Sequence, residues 1–170
     1  PSQSHPPRRV IVLSVEASPP PRSLAAPSDS LEALTHRWVE LVTEAEGDVW
    51  EQQDGSLLVV WTIVKEMGPL LVRIVETTQH IQWETEQAGY QTSAGIAPGV
   101  ARVSPHTQRP NEGWELAGPF YLARWMMNLS AHRGRVLLTE VGSQHVNCKS
   151  KPLGCIPIQG NRYISLYELA

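Results

Sequence analysis

The chain has two cysteines, one phenylalanine and three lysines in 170 residues. The thiols, Cys148 and Cys155, make no disulfide framework, so a cytoplasmic setting is the expectation. His145 shares their polar stretch, HVNCKSKPLGC. Its spacing fits no standard zinc motif and no fourth ligand is evident, so free thiols are expected, with a local disulfide or a metal as the alternatives. No apolar run approaches the ~20 residues of a membrane span, and no short apolar block of a signal peptide opens the chain. Cations are also scarce. Lys and Arg number 14 against 17 Asp and Glu, a net charge of −3, and phosphate backbones select basic faces, so nucleic acid is disfavoured as a partner. The chain holds no Gly-x-Ser-x-Gly elbow, Walker loop or Cys-x-x-Cys pair. Asn128-Leu129-Ser130 matches a glycosylation triplet but falls inside an expected helix.

What is present suits one domain. Hydrophobic residues make up 41% and charged residues 18%, and a chain of this length buries roughly 70% of its unfolded surface. PSQSHPPRR lacks apolar periodicity and is expected to be a flexible lead-in, 1–9, before a single domain, 10–170. The first residue is Pro1 rather than Met, as in a piece of a longer protein.

VIVLSV (10–15) is a continuous β-branched run, the pattern of a strand buried on both faces. The proline-rich 16–30 segment cannot be regular structure, since proline lacks an N–H and fixes φ. A helix is expected from near Asp29, with Glu32 as capping-box partner, Leu31, Leu34, Trp38, Leu41 and Val42 on one face, and Gly47 as its stop. Asp54-Gly55, between DVWEQQ and SLLVVWTIV, marks a hairpin. Gly68-Pro69 opens a second helix, with Leu71, Ile74, Val75, Thr78 and Ile81 inward and Gly89 closing it. QTSAGIAPGVARV predicts two short strands around Pro98-Gly99. A third helix is expected over 120–132, then a buried strand, RVLLTE, and an alternating one, ISLYEL. Trp38, Trp83 and Trp125 on the helices suit core or interface anchors. The fold class is α+β, with a ferredoxin-like βαββαβ core and helices covering one face of a mainly antiparallel sheet.

The order and intervals of these pieces resemble the class III nucleotidyl cyclase homology domain over nearly the whole chain. VIVLSVEA resembles the family's opening strand, which ends in a metal-binding Asp. GDVWEQQDGSLLVVW resembles its hairpin, whose turn is Gly-Asp. GIAPG resembles its Gly-Ile-x-x-Gly strand pair. Gly118 and Gly134, sixteen apart and followed by RVLLTE, resemble its last long helix and the next strand, and SLYEL its closing strand.

The resemblance implies cyclisation of a nucleoside triphosphate. Two carboxylates hold two divalent metals, since hard cations bridging phosphate oxygens take anionic oxygen ligands. An Asn and an Arg, four apart on one helical face, orient the ribose and stabilise the transferring phosphate. Two polar residues read the purine, and the site forms between two protomers. Glu16 falls at the first metal position, one methylene longer than the Asp; it is either a retained ligand or a solvated strand-end Glu. Gly55 falls at the second, with Asp54 beside it as though the turn were inverted; neighbouring strand residues face opposite ways, so Asp54 reads as an ordinary turn residue. Leu122 and Met126 fall at the Asn and Arg positions, and neither donates a hydrogen bond to an anion. Arg124 lies two residues off and is expected to face elsewhere; Arg133 is also near. Gln91 and Glu115 fall at the purine positions, as base contacts or plain surface residues. The phosphate-wrapping loop reads Ser18-Pro19-Pro20-Pro21, poor in N–H donors.

The resemblance with these departures implies a catalytically inactive cyclase homology domain acting as a signalling or regulatory interaction module. No catalytic residue and no cofactor are expected, with Mg or Mn entering only alongside residual nucleotide binding. The partner is a protein or a second copy, through the face cyclases use to dimerise; Leu122 and Met126 would either leave that face apolar or turn into the domain's own core. A nucleotide is a further candidate ligand. The alternative is an active adenylate or guanylate cyclase with altered site residues.

Overall fold

A computed structural model describes residues 7–19, 30–101, 118–129, 134–139, 142, 144, 150–158 and 162–169. Its strands are β1 (Arg8–Ser18), β2 (Asp48–Gln53), β3 (Ser56–Thr62), β4 (Gln91–Ala101), β5 (Val136–Thr139), β6 (Ser150–Ile158) and β7 (Arg162–Leu169). The helices among the described residues are α1 (Leu31–Glu44), α2 (Met67–Gln87) and α3 (Pro119–Met127). One seven-stranded sheet runs β2-β3-β1-β4-β5-β7-β6. Every neighbouring pair is antiparallel except β4–β5. The architecture is α+β.

β1 is central, and its alternation separates two cores. Ile11, Leu13, Val15 and Ala17 pack with Trp38, Leu71 and Ile74 from α1 and α2. Val10 and Val12 pack with Phe120, Ala123 and Met126 from α3. Helices therefore cover both faces, not the single face expected from sequence. Burial on both sides is also why the β1 run is unbroken by polar residues until Ser14.

α1 is capped by Ser30, whose Oγ accepts from the Ala33 amide at 3.1 Å; such a cap contributes about 1 kcal/mol. Asp29, expected there, lies outside the described residues. At the other end Glu46 takes the left-handed conformation, φ 67°, and the Gly47 and Glu46 amides donate to the Val42 and Thr43 carbonyls. The turn-closing residue is thus Glu46 rather than Gly47. Gly47 is small for another reason: a Cβ there would lie 2.7 Å from Val59 and from the Trp61 ring. Gly89, φ 94°, does close α2 as expected.

Further boundaries differ from expectation. β1 runs on through Ser18, so the first three residues of the 16–30 segment are strand, paired with Gln91–Ser93 ahead of the prolines. β1 begins at Arg8, paired with Ala101, so the lead-in does not reach residue 9. β4 is one strand, not two. Pro98 stays in register with Ile11 because β5 pairs only with Ala94–Ile96, leaving β4 a single neighbour beyond that point, where proline is tolerated. β6 is a strand the sequence pattern did not single out. α3 runs to Met127, and 130–132, the end of the expected helix, lie outside the described residues.

Candidate functional site

The even-numbered side chains of β1 face α3, so after Val12 that face turns polar with Ser14 and Glu16. In register beside Glu16 are Ser56 of β3 and Ser93 of β4. A cleft of about 280 Å³ opens here. Ser14 and Glu16 form its floor; Glu51 and Gln53 of β2 and Ser56, Leu57 and Leu58 of β3 form one wall; Arg124, Met127 and Asn128 at the end of α3 form the other.

A bulge sets the β2 wall. Val49 pairs with Val59 but Glu51 with Leu58, so Trp50 is an inserted residue. Simple alternation from Val49, which packs in the α1–α2 core, would turn Glu51 towards that side. Trp50 faces α3 and packs on the Phe120 ring, centroids 5.4 Å apart, and the register shift after it brings Glu51 into the cleft as well. There Glu51 meets Arg124 at 2.5 Å. The Ser14 hydroxyl donates to Met127 Sδ at 3.1 Å.

Glycine seats the α3 wall. A Cβ on Gly95 would lie 2.2 Å from the Ala123 carbonyl oxygen and 2.8 Å from Met126 Cβ. α3 thus rests directly on the β4 backbone, turning Ala123 and Met126 inward and leaving Arg124 and Asn128 to the cleft. This corrects the expectation for Arg124, which faces the same cleft as Glu16. The signal was in the sequence: Phe120, Ala123 and Met127 recur at three and four residues and define the inward face.

The other sequence candidates sort as follows. Met126 is 1% exposed in the second core and Leu122 packs, half-buried, against it; neither leaves an open apolar patch. Glu16 lines the cleft. Asp54 is exposed and does not line it. Gly55 holds the hairpin in place: its amide donates to Thr35 Oγ1 at 2.7 Å and its carbonyl accepts from Ala17 N at 2.8 Å. Gln91 is half-buried at the far end of the Glu16 face, in register with Ser18 and against Gly134. Glu115, Arg133, His145, Cys148, Pro20 and Pro21 lie outside the described residues. Cys155 is exposed, 3.4 Å from the Ser165 hydroxyl.

Among the described residues, the donor set does not fit a pair of divalent ions. Glu51 already holds Arg124, and Gly55 has no side chain. No cluster of three His, Cys, Asp or Glu residues with metal-binding proximity occurs among the described residues. Nor is any helix there long and apolar enough to cross a membrane.

No protein-family model matches the sequence, and no curated protein matches it. Solved structures do match the fold. The adenylyl cyclase CyaB from P. aeruginosa aligns over 99% of this chain and 96% of its own, at 10% identity and a TM-score of 0.67. An adenylate/guanylate cyclase/hydrolase from Silicibacter pomeroyi aligns over 96% and 97%, at 15% identity and a TM-score of 0.64. The monomeric guanylyl cyclase domain of the RhoGC fusion protein from the aquatic fungus Blastocladiella emersonii aligns over 98% of both chains, at 12% identity and a TM-score of 0.64; a dimeric form of that domain also matches.

Proposed function

We propose, for a chain with the fold of the adenylyl and guanylyl cyclase catalytic domains, a catalytically inactive homology domain that serves as a signalling or regulatory interaction module in the cytoplasm. The four-strand block β2-β3-β1-β4 with α1 and α2 is read as its ferredoxin-like core. The observation that carries the reading is the Arg124–Glu51 pair. In the chemistry implied by the resemblance, carboxylates are free to hold metals and an Arg is free to meet phosphate. Here, among the described residues, the cleft's cation is paired with one of the two carboxylates, and the second metal position is Gly55, whose backbone is engaged by Thr35 and Ala17. Losing one such electrostatic group typically costs about 10²–10³ in rate.

The module would act on a protein partner or a second copy of itself. Trp83 is 61% exposed on α2, and large aromatics left in water are frequent interface anchors. The dimeric form of the Blastocladiella domain supports self-association as one route.

A second reading, an active cyclase with altered site residues, rests on its own observation. Arg124 and Asn128 stand four apart, and both line the cleft. They are the residue types of the family's helical pair in reverse order.

Incubating the purified chain with ATP and with GTP, each with manganese, separates the two. No cyclic nucleotide is expected, and calorimetry with the Mg and Mn triphosphates should find weak or no binding. Cyclic AMP or cyclic GMP formation that Glu16→Ala abolishes would establish the second reading instead.

A further inference from the structure

Among the described residues, the cleft between β1, β2 and α3 carries three formal charges: Glu16, Glu51 and Arg124. Arg124 is taken by Glu51 at 2.5 Å. The Glu16 carboxylate makes no hydrogen bond or ion pair, so the described residues leave one negative charge uncompensated at the cleft floor. Around it stand neutral polar groups. The Ser14 hydroxyl spends its proton on Met127 Sδ and so presents lone pairs. Ser56 stands beside Glu16, while Gln53 and Asn128 bring amide donors and acceptors from both walls.

From this arrangement the geometry points to a binding site for a small organic cation, an aliphatic ammonium compound, with its charged head on Glu16. A half-buried carboxylate with a shortage of partners is stabilised by a cation that also hydrogen-bonds. An anion would meet Glu16 unneutralised and, among the described residues, would have to break the Arg124–Glu51 pair to reach a cationic donor. A divalent metal needs more anionic oxygens than one free carboxylate, and no third acidic, histidine or cysteine ligand stands near among the described residues. An ammonium head asks for one negative charge and two or three oxygen acceptors, which Glu16, Ser14, Ser56 and Gln53 offer. The volume of about 280 Å³ falls just below the usual range of ligand pockets, roughly 300–1,000 Å³, and suits a few-carbon amine rather than a nucleotide. Such a ligand presupposes the inactive domain proposed above, since a cyclase would hold a metal-bound triphosphate in this cleft.

The test titrates the full chain with ethanolamine and with propylamine at neutral pH, followed by amide chemical shifts, with acetate and inorganic phosphate as anionic controls. Both amines should saturate and shift amides of β1 and of the β2–β3 hairpin, and the anions should not. Glu16→Gln should weaken the amines about tenfold or more. Arg124→Gln should strengthen them, because it frees Glu51 to add a second negative charge. These opposite signs exclude a purely structural effect, and the Arg124→Gln arm stands alone if Glu16→Gln does not fold. No saturable amine binding, equal binding by Glu16→Gln, weaker binding by Arg124→Gln, or preferential phosphate binding would each overturn the assignment. Cyclic nucleotide formation is read in a separate assay and would refute the inactive domain itself, whatever the amine titration gives.

Discussion

The Thr35 hydroxyl of α1 receives the amide of Gly55, at 2.7 Å, while donating its own proton to the Leu31 carbonyl at 2.7 Å. One buried side chain thus ties the hairpin turn to the first helix. Thr35→Val keeps the shape but leaves the Gly55 N–H without an acceptor. Urea unfolding should show a loss of about 1–3 kcal/mol, the usual cost of an unpaired buried donor. A loss within error would mean that the turn finds another acceptor.

Gly55→Asp would restore the acidic residue that the resemblance expects, and it should not restore a metal site. Gly55 has φ 83°, a conformation that costs an ordinary L-residue about 1–2 kcal/mol. Its Cβ direction leads to the Leu31 side chain at 3.1 Å, on the α1 side of the sheet, whereas Glu16 faces α3. The variant should lose roughly that stability in denaturant titrations and should gain neither manganese binding nor cyclic nucleotide formation.

Gly95→Ala should be among the costlier small substitutions. The added carbon meets a backbone oxygen at 2.2 Å, which no rotamer change relieves, so α3 must lift from β4. Overpacking of this kind costs about 1–3 kcal/mol. The shift should also separate Arg124 from Glu51, visible as changed side-chain resonances of Arg124. An unperturbed Arg124 would show that the cleft wall is held independently of β4.

Arg37 holds its proton more tightly than an ordinary arginine, through its hydrogen bond to Glu84 first and to Glu40 second. A basic group with a raised folded pKa contributes fully below its unfolded pKa and loses that contribution only as pH climbs through the folded value. That window is above the ordinary arginine range. The melting temperatures of the wild type and Arg37→Ala should therefore run parallel through neutral and mildly alkaline pH. Curves that converge there would place the titration on another group.

Where apolar pattern alone decides structure, the sequence was legible: β1 and β3 as unbroken runs, the inward face of α2, and the hairpin at Asp54-Gly55. The turn itself was half legible, since only Gly55 takes a positive φ and not both residues, as a mirror-type turn would need. Pro98 read as a break because sequence does not show that β4 has lost one neighbour by that point. Of the cleft, only Glu16 was foreseen. Glu51 was hidden by the Trp50 bulge, since one inserted residue reverses the facing of all that follow. Arg124 faces the cleft because Phe120, Ala123 and Met127 set the inward stripe of its helix, a local pattern that the family's spacing at 122 and 126 does not follow.

The parallel seam between β4 and β5 matches only three residue pairs, Ala94–Val136, Gly95–Leu137 and Ile96–Leu138. It joins a four-strand block built entirely from residues before 102 to a three-strand block built after 135. With so narrow a seam, protection is expected to differ between the two blocks even though both cores span it. Amides at the centre of β1, shielded by a strand on each side and a core on each face, should exchange with solvent at the rate of global unfolding. The β6–β7 hairpin, hydrogen-bonded to the rest of the sheet through β5 and packed on the cores through Leu166 and Leu169, should exchange sooner.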